Sequence, residues 1–384
     1  MTQSASPIHV IHIASGDLWA GAEVQLYTLC KCLKNMNDVT VSVILLNHGA
    51  LERKLQEYGV HVEVLDESKL NSFQILIKLI KRLQNLNPGL IHTHRTKENI
   101  LGSLAARIAG DIPSLRTVHG APEHQPSLRT PHKYLLYLLD WFAARFLQAK
   151  IIAVSQDLKT LLEKDYPANK IQVIENGVDI DALASYRAPQ IPKDSNKHKS
   201  FKVGLVGRLV PVKRVDIFIK TAKYIQDHHP EHAIRFHIYG DGPLFNKLKT
   251  LSNSLDVNDV VEFEGHRDDI HREIASLDAL LITSDHEGLP MTLLEAMALG
   301  TPIVAHSVGG ITEACQRGKS CWLTTNNNLY NISKALLNCL NEDPESKITR
   351  INLALSRIEH YYSAESNAQQ LKNAYLAATR KPDH

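Results

Sequence analysis

The run Ser284-Asp285-His286-Glu287-Gly288-Leu289-Pro290-Met291-Thr292-Leu293-Leu294-Glu295 sets two carboxylates on either side of a glycine and a proline. An apolar stretch, Ala279 to Thr283, leads in, and a helical pattern, Leu293 to Leu299, leads out. A strand-to-helix turn here leaves backbone N–H groups unpaired, those of Leu289, Met291 and Thr292, at the positive end of the helix dipole. Such a helix start attracts phosphate. Gly288 permits the tight turn, and Pro290 suits a first helical turn. Glu287 precedes the helix and Glu295 lies inside it. Carboxylates so placed grip two ends of an extended ligand more naturally than they flank one bond. Glu287 is therefore assigned to sugar hydroxyls and Glu295 to ribose hydroxyls, the competing reading of Glu295 being a plain surface residue of the helix.

Other loops carry matching chemistry. Gly207-Arg208-Leu209-Val210-Pro211-Val212-Lys213-Arg214 follows an apolar strand pattern and precedes a helix. Arg208 and Lys213 there could neutralise a diphosphate and the charge that grows as it leaves. Gly240 and Gly242, in Tyr239-Gly240-Asp241-Gly242-Pro243, and His266 after Gly265 stand at two further strand ends. The glycines allow close approach of a flat base, or are simple turns. In the first half, Ser15-Gly16-Asp17-Leu18-Trp19-Ala20-Gly21 joins a strand to a helix. Its glycines could admit phosphate or acceptor, but the loop lacks the G-x-G-x-x-G spacing of a nicotinamide or flavin site. His119, in Thr117-Val118-His119-Gly120, ends another strand and could hydrogen-bond a transferred sugar. His92 and His94, followed by Arg95 and Lys97, point one way from a strand, as metal ligands would. No third ligand has suitable spacing, so they read as cleft-lining or structural residues.

All these loops need strands to hold them. Short apolar β-rich runs alternate with helical patterns twice over, at His9–Ile13, 39–46, 61–65, 89–93, 114–119 and 151–155, then at 202–206, 235–239, 260–264, 279–283 and 302–305. Alternation of this kind implies α/β architecture, with parallel sheets covered on both faces. At 384 residues the chain is long for one core. The polar stretch 187–200 reads as a linker between two doubly wound domains. Ligands then bind at the carboxyl ends of the strands, in a cleft. A net charge of +2 argues against a nucleic-acid partner. Five scattered cysteines fit reduced thiols, and neither a signal peptide nor a membrane-spanning run is legible. The compartment expected is cytoplasmic.

Taken together, Glu287-x7-Glu295 with Gly288-Leu289-Pro290, Gly207-Arg208 with Lys213, and Thr117-Val118-His119-Gly120 resemble the retaining GT-B glycosyltransferases of family 4. The resemblance runs from Ile8 to about Tyr375 and takes in Asn176-Gly177-Val178-Asp179 and Gly309-Gly310-Ile311-Thr312-Glu313. It implies two Rossmann-like domains facing across a cleft: an acceptor-binding domain over 1–190 and a nucleotide-sugar domain over 200–362. A last helix, within 363–384, would cross back to the first domain. It implies that Arg208 and Lys213 hold the donor diphosphate, Glu295 the ribose, Glu287 the donor sugar, and His119 the sugar near the reacting carbon. Gly21, Gly240, Gly242, His266, Gly288, Leu289, Pro290, Met291 and Thr292 complete the expected donor site. Gly16, Trp19, His94 and Arg95 are the expected acceptor residues. No metal and no cofactor are expected, the leaving diphosphate being neutralised by the basic pair and the helix dipole. Two departures bear on substrate choice: Ala20-Gly21 stands where relatives often have a glycine pair, and Arg214 stands where glycine is common, adding charge beside the phosphates.

The expected activity is hexosyl transfer from a nucleotide sugar, UDP-linked before GDP-mannose, to a glycan or lipid-linked saccharide in cell-surface polysaccharide synthesis. The alternative is a sugar-nucleotide epimerase of the same fold, which needs no acceptor. Gln74 to Leu86 and Arg129 to Lys150 mix cations with aliphatic and aromatic residues, so peripheral contact with the inner membrane competes with ordinary packing on the first sheet.

Overall fold

The computed structural model describes residues 7–120, 131–187, 200–267 and 269–380. Most of the expected linker, and residues 129 and 130 of the second candidate membrane segment, lie outside them. The chain divides into two compact units, Met1–Gly177 with Ala364–His384, and Val178–Ser363. The boundary thus falls before the helix Ile180–Ala184, which belongs to the second unit and not, as the 1–190 division has it, to the first.

The first unit holds a seven-stranded parallel sheet in the order β3-β2-β1-β4-β5-β6-β7. Its strands are β1 (Ile8–Ala14), β2 (Val39–Leu45), β3 (His61–Val64), β4 (Leu90–Thr93), β5 (Ser114–Val118), β6 (Lys150–Ala153) and β7 (Ile171–Val173). The order reverses between β1 and β4, so the loops after these strands diverge and open a place for side chains. Alternate residues of β1 feed two cores. Val10 and Ala14 join the cluster with Leu26, Leu29 and the helix Ala364–Thr379, whereas Ile11 and Ile13 join Ile75, Leu79 and Leu83 on the other face. His12 occupies the first of these faces, where the pattern calls for an aliphatic residue.

The second unit repeats the plan with six parallel strands in the order β10-β9-β8-β11-β12-β13. They are β8 (Phe201–Val206), β9 (Ile234–Tyr239), β10 (Val261–Gly265), β11 (Ala279–Ile282), β12 (Ile303–His306) and β13 (Trp322–Thr324). Its core packs Val203, Leu205, Phe218, Phe236 and Leu281 under the helices Val215–His228 and Leu329–Asn341. One expectation about cysteines is corrected. After the helix Gly310–Ala314, left-handed backbone at Gln316, Arg317 and Gly318 turns the chain back, and Cys315 and Cys321 form a disulfide. Cys30 and Cys339 are buried thiols.

Candidate functional site

In the second unit, loops after β8, β9 and β11 fix one another. Gly240 has φ +135°, and a Cβ there would lie 2.0 Å from the carbonyl oxygen of Gly207. The Leu209 amide donates to Asp241 and the Leu244 amide to Leu209. The close approach that Gly240 and Gly242 permit is to the Arg208 loop itself. Gly309 does the same for the glutamate loop: its Cβ would sit 1.9 Å from the carbonyl oxygen of Glu287, and the Gly310 amide donates to Gly288 at 2.7 Å.

These braces set the charged groups. Lys213 Nζ lies 2.6 Å from Glu287 Oε1, so two residues expected to touch different parts of a ligand are paired with each other. Arg208 is exposed and makes no ion pair with a described residue. Arg214 takes left-handed backbone, φ +48°, which explains why glycine suits this position. Its guanidinium donates to Asp216 and, at 3.0 Å, to Asp285, and these carboxylates raise its pKa. The extra charge expected beside the phosphate site is thereby neutralised inside the protein.

The helix Met291–Leu299 begins one residue later than expected, with extended Pro290 as its N-cap and no side-chain cap. The amides of Met291 and Thr292 reach no backbone acceptor among the described residues. Leu289, the third expected donor, is buried. Glu295 is buried, not a surface residue of the helix, and lies 3.5 Å from His271 Nε2. His266 is exposed and also partnered. Two amides and the positive helix end offer donors to an anion, and Lys213 is held near them through Glu287.

In the first unit, Gly16 has φ +83° and Gly21 opens the helix Gly21–Lys34, which has no side-chain cap. Trp19 packs edge-on against Tyr27 and under Lys54. Arg95 is paired with Asp17 at 3.3 Å and with buried Glu23. The motif reading missed both acids, because no spacing ties them to Arg95, and it missed Glu98, three residues after Arg95, as an ordinary charge in the first turn of a helix.

The histidines converge more than their spacing implied. His12 on β1, distant in sequence, supplies the third imidazole that was missing beside His92 and His94, and one ring nitrogen from each lies within 4.8 Å of the others. His92 hydrogen-bonds Tyr375 at 2.7 Å and Thr117 at 2.8 Å, using both ring nitrogens. His94 bonds His12 at 3.1 Å and His119 at 3.3 Å. Burial drives all four imidazoles toward the neutral form, taking His119 down to about 4 and His12 to about 3. His94 is buried with both nitrogens engaged, and so is placed behind His119.

Two families match successive parts of the chain. The family described as Glycosyltransferase Family 4 matches residues 19–182, and that described as Glycosyl transferases group 1 matches residues 187–353. The chain is a family 4 glycosyltransferase of GT-B fold. An Escherichia coli UDP-Gal:alpha-D-GlcNAc-diphosphoundecaprenol alpha-1,3-galactosyltransferase is 29% identical over 323 residues, spanning 81% of this chain and 82% of that protein. A Bacillus anthracis N-acetyl-alpha-D-glucosaminyl L-malate synthase is 28% identical over 64% of each chain. Among solved structures, Anabaena HepE in complex with UDP-glucose superposes with a TM-score of 0.81, at 23% identity, over 96% of this glycosyltransferase and all of HepE. No described helix is long and apolar enough to cross a membrane.

Proposed function

We propose that this glycosyltransferase moves a hexosyl group from a UDP-sugar, GDP-mannose being the next donor, to a glycan or lipid-linked saccharide in cell-surface polysaccharide synthesis, with retained anomeric configuration. The carrying observation is the uncapped start of the helix Met291–Leu299 with Arg208 and Lys213 on the neighbouring loop. These groups would take the diphosphate, and Glu295, buried on the same helix, the ribose. Arrival of the phosphates would draw Lys213 from Glu287 and free that carboxylate for sugar hydroxyls. In the transfer itself, the bond from the anomeric carbon to the diphosphate breaks as the acceptor oxygen bonds to the same face. The acceptor proton passes to the leaving phosphate, so no protein base and no metal are needed. The galactosyltransferase relative, named for UDP-Gal and a diphosphoundecaprenol acceptor, supports the donor class and a lipid-linked acceptor. The enzyme would then work in the cytoplasm against the membrane face, with the exposed helix Pro131–Phe142 as contact.

Thermal shift with a panel of nucleotide sugars tests the donor site. One UDP-sugar should raise the melting temperature selectively, and Glu295→Ala should abolish that rise, whatever it does to the unliganded protein. A panel in which no donor stabilises the enzyme and none is consumed with a saccharide acceptor would reject the reading.

A further inference from the structure

The buried histidines of the first unit are joined end to end. His12 Nδ1 lies 3.1 Å from His94 Nε2, and His94 Nδ1 lies 3.3 Å from His119 Nε2. His94 thus uses opposite ring nitrogens for its two neighbours, and the three rings make a chain, not a ring of ligands about one point. His92 stacks beside it, 4.6 Å from His94, with both nitrogens committed to Tyr375 and Thr117.

A neutral imidazole has one N–H and one lone pair, so the direction of one bond in such a chain sets the direction of the next. Two arrangements satisfy both bonds. In the first, His119 donates from Nε2 to His94, His94 donates to His12, and the chain ends in an N–H on Nε2 of His12. In the second, His12 donates from Nδ1, His94 donates from Nδ1, and His119 accepts at Nε2, which leaves its own proton on Nδ1. His12 Nε2 is buried and has no hydrogen-bond partner among the described residues. A buried N–H without an acceptor is rarer than a bare acceptor, which favours the second arrangement.

We propose that His12 and His94 are positioning residues that hold His119 as its neutral Nδ1–H tautomer, so that His119 meets the transferred sugar as a hydrogen-bond donor and not as a base. The proposal rests on the reading of His119 as a residue at the sugar, but the tautomer is observable without turnover. Tyr375, reaching His92 from the helix Ala364–Thr379, and Thr117 on β5 hold the flanking ring in place. Arg95, paired with Asp17 and Glu23, is the nearby cation that bears on His94 and His119, and it favours their neutral forms.

Proton–nitrogen correlation spectra of the histidine side chains at neutral pH test this in the full-length enzyme. Wild type should show His119 protonated at Nδ1. His12→Leu and His94→Phe should each release it to a mixture of tautomers, whereas His12→Asn, whose amide nitrogen can replace Nδ1 as donor, should keep it. Turnover should follow, with kcat falling roughly tenfold in His12→Leu, donor KM little changed, and recovery in His12→Asn. Protonation of His119 at Nε2 in wild type, a tautomer indifferent to both variants, or a stoichiometric metal ion bound to His94 in the purified enzyme would each overturn it. Should His94→Phe fail to fold, the His12 pair carries the test alone. A locked tautomer in an enzyme that turns over no donor would sink the proposed function and leave the lock standing.

Discussion

Glu98 sits in the first turn of the helix Thr96–Gly110, 2% exposed, and burial pushes its carboxyl up to about 7. Its unfolded counterpart ionises near the ordinary 4.5, so between the two values the folded protein holds more protons than the unfolded chain. Stability from this residue is therefore present at acid pH and is lost as pH rises toward 7, by on the order of 3 kcal/mol. Urea titrations of wild type and Glu98→Gln should show wild type losing ground to the variant across that window. Parallel pH profiles would show that Glu98 is not the residue responsible. The buried histidines pull the opposite way, since His12 and His119 refuse protons that the unfolded chain accepts below about 6.5. Comparison with the variant isolates the glutamate. Motif reading gave the glutamate pair and the basic loop of the second unit, because their spacing is local to one strand end. It could not give the pairing of Lys213 with Glu287, nor Asp17, Glu23 and His12, because these meet only when strands distant in sequence are laid side by side.

At the scale of elements, continuous apolar runs made the central strands legible, as buried parallel strands should be. Two edge strands were not, β7 (Ile171–Val173) and β13 (Trp322–Thr324), each three residues long and too short for any period to show. The helix Pro131–Phe142 departs from its pattern differently. Tyr134, Leu135, Tyr137, Leu138 and Trp141 have the spacing of a core face, yet none of its residues is buried. Leu135, Leu136, Leu138, Leu139 and Phe142 are between 41% and 56% exposed, and Phe146 is 58% exposed. His132, Lys133, Arg145 and Lys150 flank them. Apolar exposure on this scale, bordered by cations, suits insertion at an anionic lipid surface. Wild type should sediment with anionic vesicles, and the double variant Leu135→Ser, Leu139→Ser should bind roughly tenfold less at an unchanged melting temperature, because both leucines are already exposed. Equal sedimentation of the two proteins would remove this helix from the membrane reading.

At the scale of the whole chain, the two units differ in how they are assembled. The second is built from one continuous stretch, Val178–Ser363, whereas the first needs Ala364–His384 to return to it. That return supplies core and polar bonds alike. Leu371, Ala374 and Tyr375 are buried in the cluster that includes Val10 and Leu26. Asn367 accepts from Gln25 at 3.0 Å, Lys372 pairs with Asp38 at 2.9 Å, and the Tyr375 hydroxyl bonds His92. Loss of a buried aromatic residue alone costs about 3–5 kcal/mol, against a total stability of roughly 5–15 kcal/mol for a domain. A chain ending at Ser363 should therefore lose the folded first unit while the second, with its core complete, still folds and binds UDP. Hydrogen exchange read by fragment separates the two. Residues of β1, β2 and β4 should lose protection in the truncated chain, and those of β8, β11 and the helix Met291–Leu299 should keep it and gain more with UDP. Full protection of β1 without the last helix would mean that the first sheet is sealed by something other than Tyr375 and its neighbours. Protection of β8 and β11 indifferent to UDP would instead count against the donor site in the second unit, so each half of the experiment judges a different claim.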